Sequence, residues 1–539
     1  MKRIKELTDG RMLPQILIFI LFLLLIIIIR VNFLDLPLDR DEGTYAYFGH
    51  QIWKGAVPFT DLIDNKPSGL FFSYALIDIL IPNTKSGLHM ALLIIQLLTG
   101  SLIFEIVRRS STTPSAICAA MAFFLISLNP FSRGFAMISE HIIILFHCLS
   151  LWLIIRGHQR QTILPFLLSG ALAAWCLLIK QSALLISISL LLPVLIPSVF
   201  IRPNRSESNN GKNLGAFLVG GTAIILLLLA YHMINDNLDD MWYWLYKYNR
   251  DNFLSRISNE DAWKYFNVYL RTVVGPYWLI WIIALLGIIV GFFSKKITRS
   301  AYLVIALILS FVMIGLGKRF YGHYWIVAFP YVAMSFGWTI NYLVKLIPDK
   351  RKWVPTLSVF VTAVAFMAVL FTSDNKFFSP RKDHIVQKVY GSNPFIQIDY
   401  LIDHLSRVMK PDETVFVMGS EPQVYYLLDR SLKSPHINTG YLFKDHSRLD
   451  PMINDYQQLL SERNFDYLIF VNHPFSWGIS AGSDISMYQW AWKYSTRNYT
   501  SQLLLEIELG KSTNVVSGEK LRNYQPRTEY YVKLMKRRD

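Results

Sequence analysis

The chain has 539 residues, of which 53% are hydrophobic, 14% aromatic and only 17% charged, a balance that excludes the soluble multidomain protein its length would otherwise suggest. Its formal charge of +15 does not indicate a nucleic-acid binder, because the basic residues punctuate apolar runs instead of gathering on a soluble surface. Cys118, Cys148 and Cys176 all fall inside apolar segments, so no spaced pair points to a disulfide framework or a zinc site.

The first apolar run, Ile16 to Ile29, follows the basic start Met1-Lys2-Arg3-Ile4-Lys5, and its far end, Ile29-Arg30-Val31-Asn32-Phe33, has no small-x-small cleavage site. It reads as an uncleaved anchor with the amino terminus inside. Apolar stretches of about 17 to 25 residues predict spans near 14–31, 87–107, 113–129, 138–156, 162–179, 182–201, 214–232, 276–293, 300–317, 324–344 and 353–372. About eleven spans put the two termini on opposite faces. The loops then assigned inside carry Arg108-Arg109, Arg156 with Arg160, Arg202 with Arg205 and Lys212, Lys295-Lys296 with Arg299, and Lys350-Arg351-Lys352. Each is basic, as the positive-inside rule requires, and one miscounted span would break the pattern. Residues 32–86, 232–275 and 373–539 are left outside. The expected architecture is a polytopic α-helical membrane domain, 1–372, followed by an extracytoplasmic α/β domain, 373–539.

In the first outside loop, Asp39 followed three positions later by Glu42 has the spacing of a capping box, and Gly55 suits a helix end. A short helix along the membrane interface is predicted, with Tyr45, Phe48 and Ile52 on one apolar face. Either Asp41 and Glu42 only favour the positive helix end, or one caps while the other, Asp41, faces a substrate. The turn-rich Pro58 to Gly69 stretch follows, in which Pro67 holds Lys66 extended. The run from Leu70 to Ile81 is too short to span and reads as a second interfacial helix.

Further along, Arg133, Glu140 with His141, Lys180-Gln181 and Gly317-Lys318-Arg319-Phe320-Tyr321-Gly322-His323-Tyr324 bring charge to the ends of spans, where it is expensive. Together with Arg40, Lys54 and Lys66, these cations lie on the face where topology does not ask for them. Singly, each can snorkel to a headgroup or pair with a nearby acid; jointly, they can hold a lipid phosphate at the bilayer edge. The tail alternates in type: helices near Ile398–Met409, Pro422–Leu428 and Pro451–Arg463, and strands at Thr414–Met418, Tyr467–Val471, Leu503–Leu509 and Tyr530–Met535. It contains no Gly-rich phosphate loop and no local Ser-His-Asp signature.

Asp41-Glu42-x-x-Tyr45, Gly55-x-x-Pro58-Phe59-x-Asp61 and Lys66-Pro67 resemble the first external loop of the GT-C glycosyltransferases, and within them the protein O-mannosyltransferase-like group that includes bacterial aminoarabinose transferases. Ser139-Glu140, Lys180-Gln181, Arg319-x-x-x-His323-Tyr324 with Pro330, and Val415 to Arg430 are similar to segments of its bacterial members. Ser68 departs from a second proline that often follows Lys-Pro. The resemblance implies an inverting transfer of a sugar from a polyprenyl-phosphate donor, a membrane lipid, to an envelope acceptor bearing a hydroxyl. It implies Asp41 as general base, Glu42 as positioning residue, and Lys66 on the donor phosphate. Arg40, Lys180, Arg319 and His323 are supporting cations, and Tyr45, Asp61 and Glu140 would line the substrate. No cofactor is implied, and no metal is expected because the loop lacks a ligand cluster beyond Asp41 and Glu42. The rival readings are a lipid or glycan flippase, a sensory membrane protein, and a polymerase or ligase using the same class of donor.

Overall fold

A computed structural model describes residues 12–201, 210–252, 257–294, 296–347, 353–372, 377–378, 383–432, 434–480 and 482–538. The basic positions Arg202, Arg205, Lys295 and Lys350 to Lys352 lie outside the described residues, as does the basic start of the chain. The structure divides into two compact units: Met1–Phe33 with Met90–Ile234 and Ile257–Phe378, and Leu34–His89 with Asn235–Arg256 and Ser379–Asp539. This division replaces the linear boundary expected at residue 372, because two segments of the first 372 residues pack with the tail.

Among the described residues, eight helices are long and apolar enough to cross a membrane: Leu13–Asn32, Lys85–Ser110, Ser139–Arg160, Asn210–Ile234, Asn259–Phe292, Ile297–Gly315, Gly322–Leu346 and Val354–Thr372. The chain is a multi-pass membrane protein. The other three expected spans are present as shorter apolar helices, Thr113–Ile126, Leu164–Ile179 and Gln181–Leu195. The last is broken into short turns around Pro193 and Pro197, which cannot donate to the helical ladder. Thr113–Ile126 is buried on every side from Ser115 onward, so it is wrapped by its neighbours and not by lipid. Leu164–Ile179 and Asn210–Ile234 meet through small residues: a Cβ on Gly170 would come 1.8 Å from the Phe217 carbonyl oxygen, and one on Gly220 1.9 Å from that of Leu167. Such close backbone approach is how apolar helices associate where lipid gives no hydrophobic drive. Where a loop was expected up to Gly275, helix starts at Asn259 and runs through a π-turn at Leu270–Val274 before Pro276.

In the second unit, the two short helices expected in the first loop are Arg40–Trp53 and Gly69–Leu80. Asp39 caps the first with a complete capping box to Glu42, and Gly55 follows with φ +89°. The tail folds around a five-stranded sheet of order β1-β2-β5-β3-β4, with β1 Val415–Met418, β2 Tyr467–Asn472, β3 Tyr499–Glu506, β4 Asn514–Ser517 and β5 Tyr531–Arg537. β1 and β2 run parallel, joined by a crossover containing the helix Leu449–Glu462, and the remaining pairs are antiparallel. β1 is buried throughout and β2 up to its last residue, which fits their unbroken apolar sequences. β4 and the helix Ser486–Asn498 were not anticipated from sequence.

Candidate functional site

The Arg40–Trp53 helix is fastened to the tail along one face, at positions three or four apart. Tyr390 donates to Asp39 at 2.7 Å. The Arg40 guanidinium bonds the Ser420 carbonyl and the buried Glu421 carboxylate. A Cβ on Gly43 would sit 2.6 Å from the Gln423 nitrogen, so only glycine permits this approach. Tyr47 accepts from the Leu432 nitrogen at 3.1 Å, and Ser431 donates to Gln51 at 2.7 Å. Glu421 is itself held by Ser476 and Gln423, each at 2.8 Å. Arg40, expected on a donor phosphate, is thus committed to anchoring its own helix to the end of β1.

His50 lies between Asp78 at 2.9 Å and Asp429 at 3.0 Å, and Lys54 pairs with the same Asp429 at 2.6 Å. The Asp78 hydrogen bond leads in raising the His50 pKa above the ordinary 6.5, against desolvation, with Asp429 adding to the rise. A raised histidine stabilises the fold fully below its unfolded pKa and loses that contribution as pH climbs through the folded value. Melting temperature followed from about pH 6 upward is therefore expected to fall more steeply in the wild type than in His50→Gln. Parallel curves would remove the assignment.

Glu42, whose carboxylate completes the cap, also lies 3.1 Å from His89, with both side chains buried. Burial pushes its pKa above the ordinary glutamate range, and His89 pulls the other way. It positions the start of the helix. Glu42→Ala should cost about 3 to 5 kcal/mol, the usual penalty for breaking a buried pair. A thermal or denaturant melt checks this, and an unchanged midpoint would contradict it.

Asp41 lies next in chain to this cap and is partly exposed. Its charge reaches two groups of the same unit, the buried Asp64 and the Tyr441 phenol. Asp64 accepts from the Lys66 nitrogen at 3.0 Å, an Asx-type turn, and faces the Lys66 ammonium at 3.8 Å. Burial raises the Asp64 pKa, while Lys66 opposes the rise. Lys66 also sits 4.9 Å from the centre of the Tyr45 ring, and Tyr45 packs edge-on against Tyr74. Asn65 and Asn249 exchange hydrogen bonds of 2.9 and 2.8 Å, which tie the loop to residues 235–256. The unit therefore groups two carboxylates, one lysine and a phenol, an arrangement able to take a proton beside a held cation. Asp61 does not join this group: it is exposed and closes a turn by accepting from the Val57 nitrogen at 2.8 Å. Asp64 and Tyr441 were missed from sequence; the Asp-x-Lys turn spacing was a usable signal for the first, and nothing local signals the second.

The first unit gathers its own charged group. Lys180, at the break after Leu164–Ile179, pairs with the buried Glu140 at 2.6 Å and sits 3.7 Å from the centre of the Tyr324 ring. Ser139 donates to Glu140 at 2.9 Å, and His323 is near enough to feel its charge. His323 packs on Tyr321, which also lies 3.4 Å from Arg319. Lys318 and Phe320, on either side of Arg319, adopt φ of 58° and 48°, a left-handed backbone that non-glycine residues enter at a cost of about 1 to 2 kcal/mol. The tertiary contacts around this loop overcome that cost. Among the described residues there is no group of three or more His, Cys, Asp or Glu able to hold a metal ion.

Residues 65–234 match the sequence profile of the family described as dolichyl-phosphate-mannose-protein mannosyltransferase. The match takes in Lys66, Glu140 and Lys180 and begins after Asp41. No curated protein matches the chain in sequence. In structure, the chain is similar to ArnT from Cupriavidus metallidurans in the apo state, at 10% identity and TM-score 0.57, covering 96% of this chain and 97% of that one. ArnT bound to undecaprenyl phosphate is similar at 12% identity and TM-score 0.56, over 84% and 92%. The archaeal oligosaccharyltransferase AglB from Archaeoglobus fulgidus, in complex with an inhibitory peptide and a dolichol-phosphate, is similar at 11% identity and TM-score 0.51, over 93% and 74%. The fold is the GT-C glycosyltransferase fold.

Proposed function

We propose that this GT-C protein is an integral-membrane glycosyltransferase, moving a sugar from a polyprenyl-phosphate donor to an acceptor hydroxyl with inversion at the anomeric carbon. The observation that carries the reading is the group formed by Asp41, Asp64 and Lys66 beside a capped helix start. Support for the donor class comes from two structures of the same fold, ArnT bound to undecaprenyl phosphate and AglB with dolichol-phosphate. A lipid-borne donor is also compatible with a membrane protein whose sequence carries no Gly-rich nucleotide loop.

In this reaction the acceptor oxygen attacks the anomeric carbon while Asp41 takes its proton. The bond from that carbon to the phosphate oxygen breaks, and its electron pair leaves with the polyprenyl phosphate. Lys66 offsets the charge that grows on the departing oxygen, which is where a preorganised cation contributes most. Asp64 holds the lysine, and Glu42 sets the helix start. The pairing of Lys180 with Glu140 beside His323 is the first unit's candidate for handling an anionic group. A flippase would move its lipid without bond making and would have no use for a base set beside a held cation.

The amino terminus and the basic loops are assigned to the cytoplasm, and the Asp41 loop and tail to the opposite side, on the positive-inside pattern. The acceptor is then an envelope lipid, glycan or protein. The test is purified protein in proteoliposomes with polyprenyl-phosphate sugars and envelope extracts, read by mass spectrometry. The expected products are free polyprenyl phosphate and an acceptor heavier by one sugar residue. Donor that crosses the bilayer intact, with no new glycoside, would overturn the reading.

A further inference from the structure

At one end of the first unit, four of the loops expected to share a side of the membrane converge on a cavity of about 550 Å³. Arg109, Lys296, Arg299 and Lys345 line it, and among the described residues no carboxylate does. Arg109 is neutralised by Glu105 from outside the cavity wall. Arg299 is not: only 6% exposed, it is held by the carbonyl oxygens of Val199 and Ser110 at 3.2 and 3.0 Å and packs 4.6 Å from the centre of the Trp338 ring. Among the described residues no acid pairs with it. A buried guanidinium with only neutral partners is costly unless an anion completes the site.

The cavity has a second property that topology alone does not require. Ser111, Thr112, Asn341 and Lys345 line both this cavity and an adjoining groove of about 1250 Å³. Away from that shared rim most of the groove wall is apolar, with Phe19, Leu23, Leu97 and Phe124 among its side chains, and the paired Glu105 and Arg108 are its charged members. A cationic pocket that opens onto an apolar channel along membrane-spanning helices matches a molecule with an anionic head and a hydrocarbon tail. A soluble phosphate ester would use the first part and leave the second empty.

We propose that this cavity and groove form a binding site for an anionic phospholipid, drawn from the leaflet on the side of the basic loops. Arg299 and Lys345 meet the phosphate, Lys296 adds charge at the rim, and one acyl chain lies in the groove. Guanidinium and phosphate pair through parallel hydrogen bonds, and each further cation near a charged lipid adds attraction. The site does not depend on the transferase reading and uses none of the residues assigned to it.

The test is native mass spectrometry of the purified full-length protein titrated with phosphatidylglycerol, phosphatidylcholine or glycerol phosphate. Phosphatidylglycerol is expected to be retained in preference to phosphatidylcholine and to raise the melting temperature, while glycerol phosphate does neither. The exposed Lys345→Gln change should weaken phosphatidylglycerol retention about fivefold, and the Lys296→Gln/Lys345→Gln pair about twenty-fivefold, from the usual contribution of one cation near an anionic lipid. Phosphatidylcholine retention should stay unchanged in both, which also reports that they are folded. Equal retention of the two lipids, equal stabilisation by glycerol phosphate, or unaltered binding by Lys345→Gln would overturn the proposal.

Discussion

Replacing Asp41 with Asn is expected to lower glycosyl transfer by about two to four orders of magnitude, the usual contribution of a positioned base, while the melting temperature hardly moves. The contrast follows from the local structure. The helix cap is carried by Asp39 and Glu42, and the anchoring to the tail by Asp39, Arg40, Tyr47 and Gln51. An amide at position 41 therefore keeps shape and fold but cannot accept the acceptor's proton. Donor turnover in proteoliposomes, measured beside a thermal melt, separates chemistry from stability. Wild-type turnover in Asp41→Asn would end the assignment of this carboxylate as the base.

The second large effect is expected at Lys66. Loss of a cation that offsets charge on a leaving oxygen costs about two to three orders of magnitude in turnover, and Lys66→Ala should fall in that range, with part of the rate restored by Lys66→Arg. A second readout distinguishes this role from a structural one. Lys66 opposes the burial that raises the Asp64 pKa, so its removal leaves Asp64 protonated to higher pH. The Asp64 carboxyl, followed by infrared titration, should then lose its proton at higher pH in Lys66→Ala and stay closer to wild type in Lys66→Arg. An unshifted Asp64 titration would mean that the pairing between Asp64 and Lys66 at 3.8 Å does not govern the site.

Local patterns were legible because their causes are local. The spacing of Asp39 and Glu42 announces a capping box, and that box is present. Gly55 marks the end of the helix, with the left-handed φ that glycine tolerates. The apolar runs at 415–418 and 467–471 appear as the two parallel strands of the tail. What stayed hidden depends on partners far away in the chain. Arg40 looks like one more outside cation until Glu421, 381 positions later, is found against it. Asp61 and Asp64 look alike in sequence; one closes an exposed turn and the other is buried against Lys66. Length was less legible than apolarity: Thr113–Ile126 is apolar like its neighbours and shorter than the eight long helices.

The sequence by itself determined that the chain resides in a membrane, where the first-loop helix is capped and ends, and which loops carry positive charge. Periodicity, capping and hydropathy act over a few residues and survive any arrangement of the parts. Only the tertiary structure decided that residues 34–89 and 235–256 fold with the tail, that Asp64 joins Asp41 and Lys66, and that Arg299 is buried among neutral partners. Burial and charge pairing depend on which distant segments meet, and the free energy of an ionised group is set by those neighbours far more than by its place in the chain.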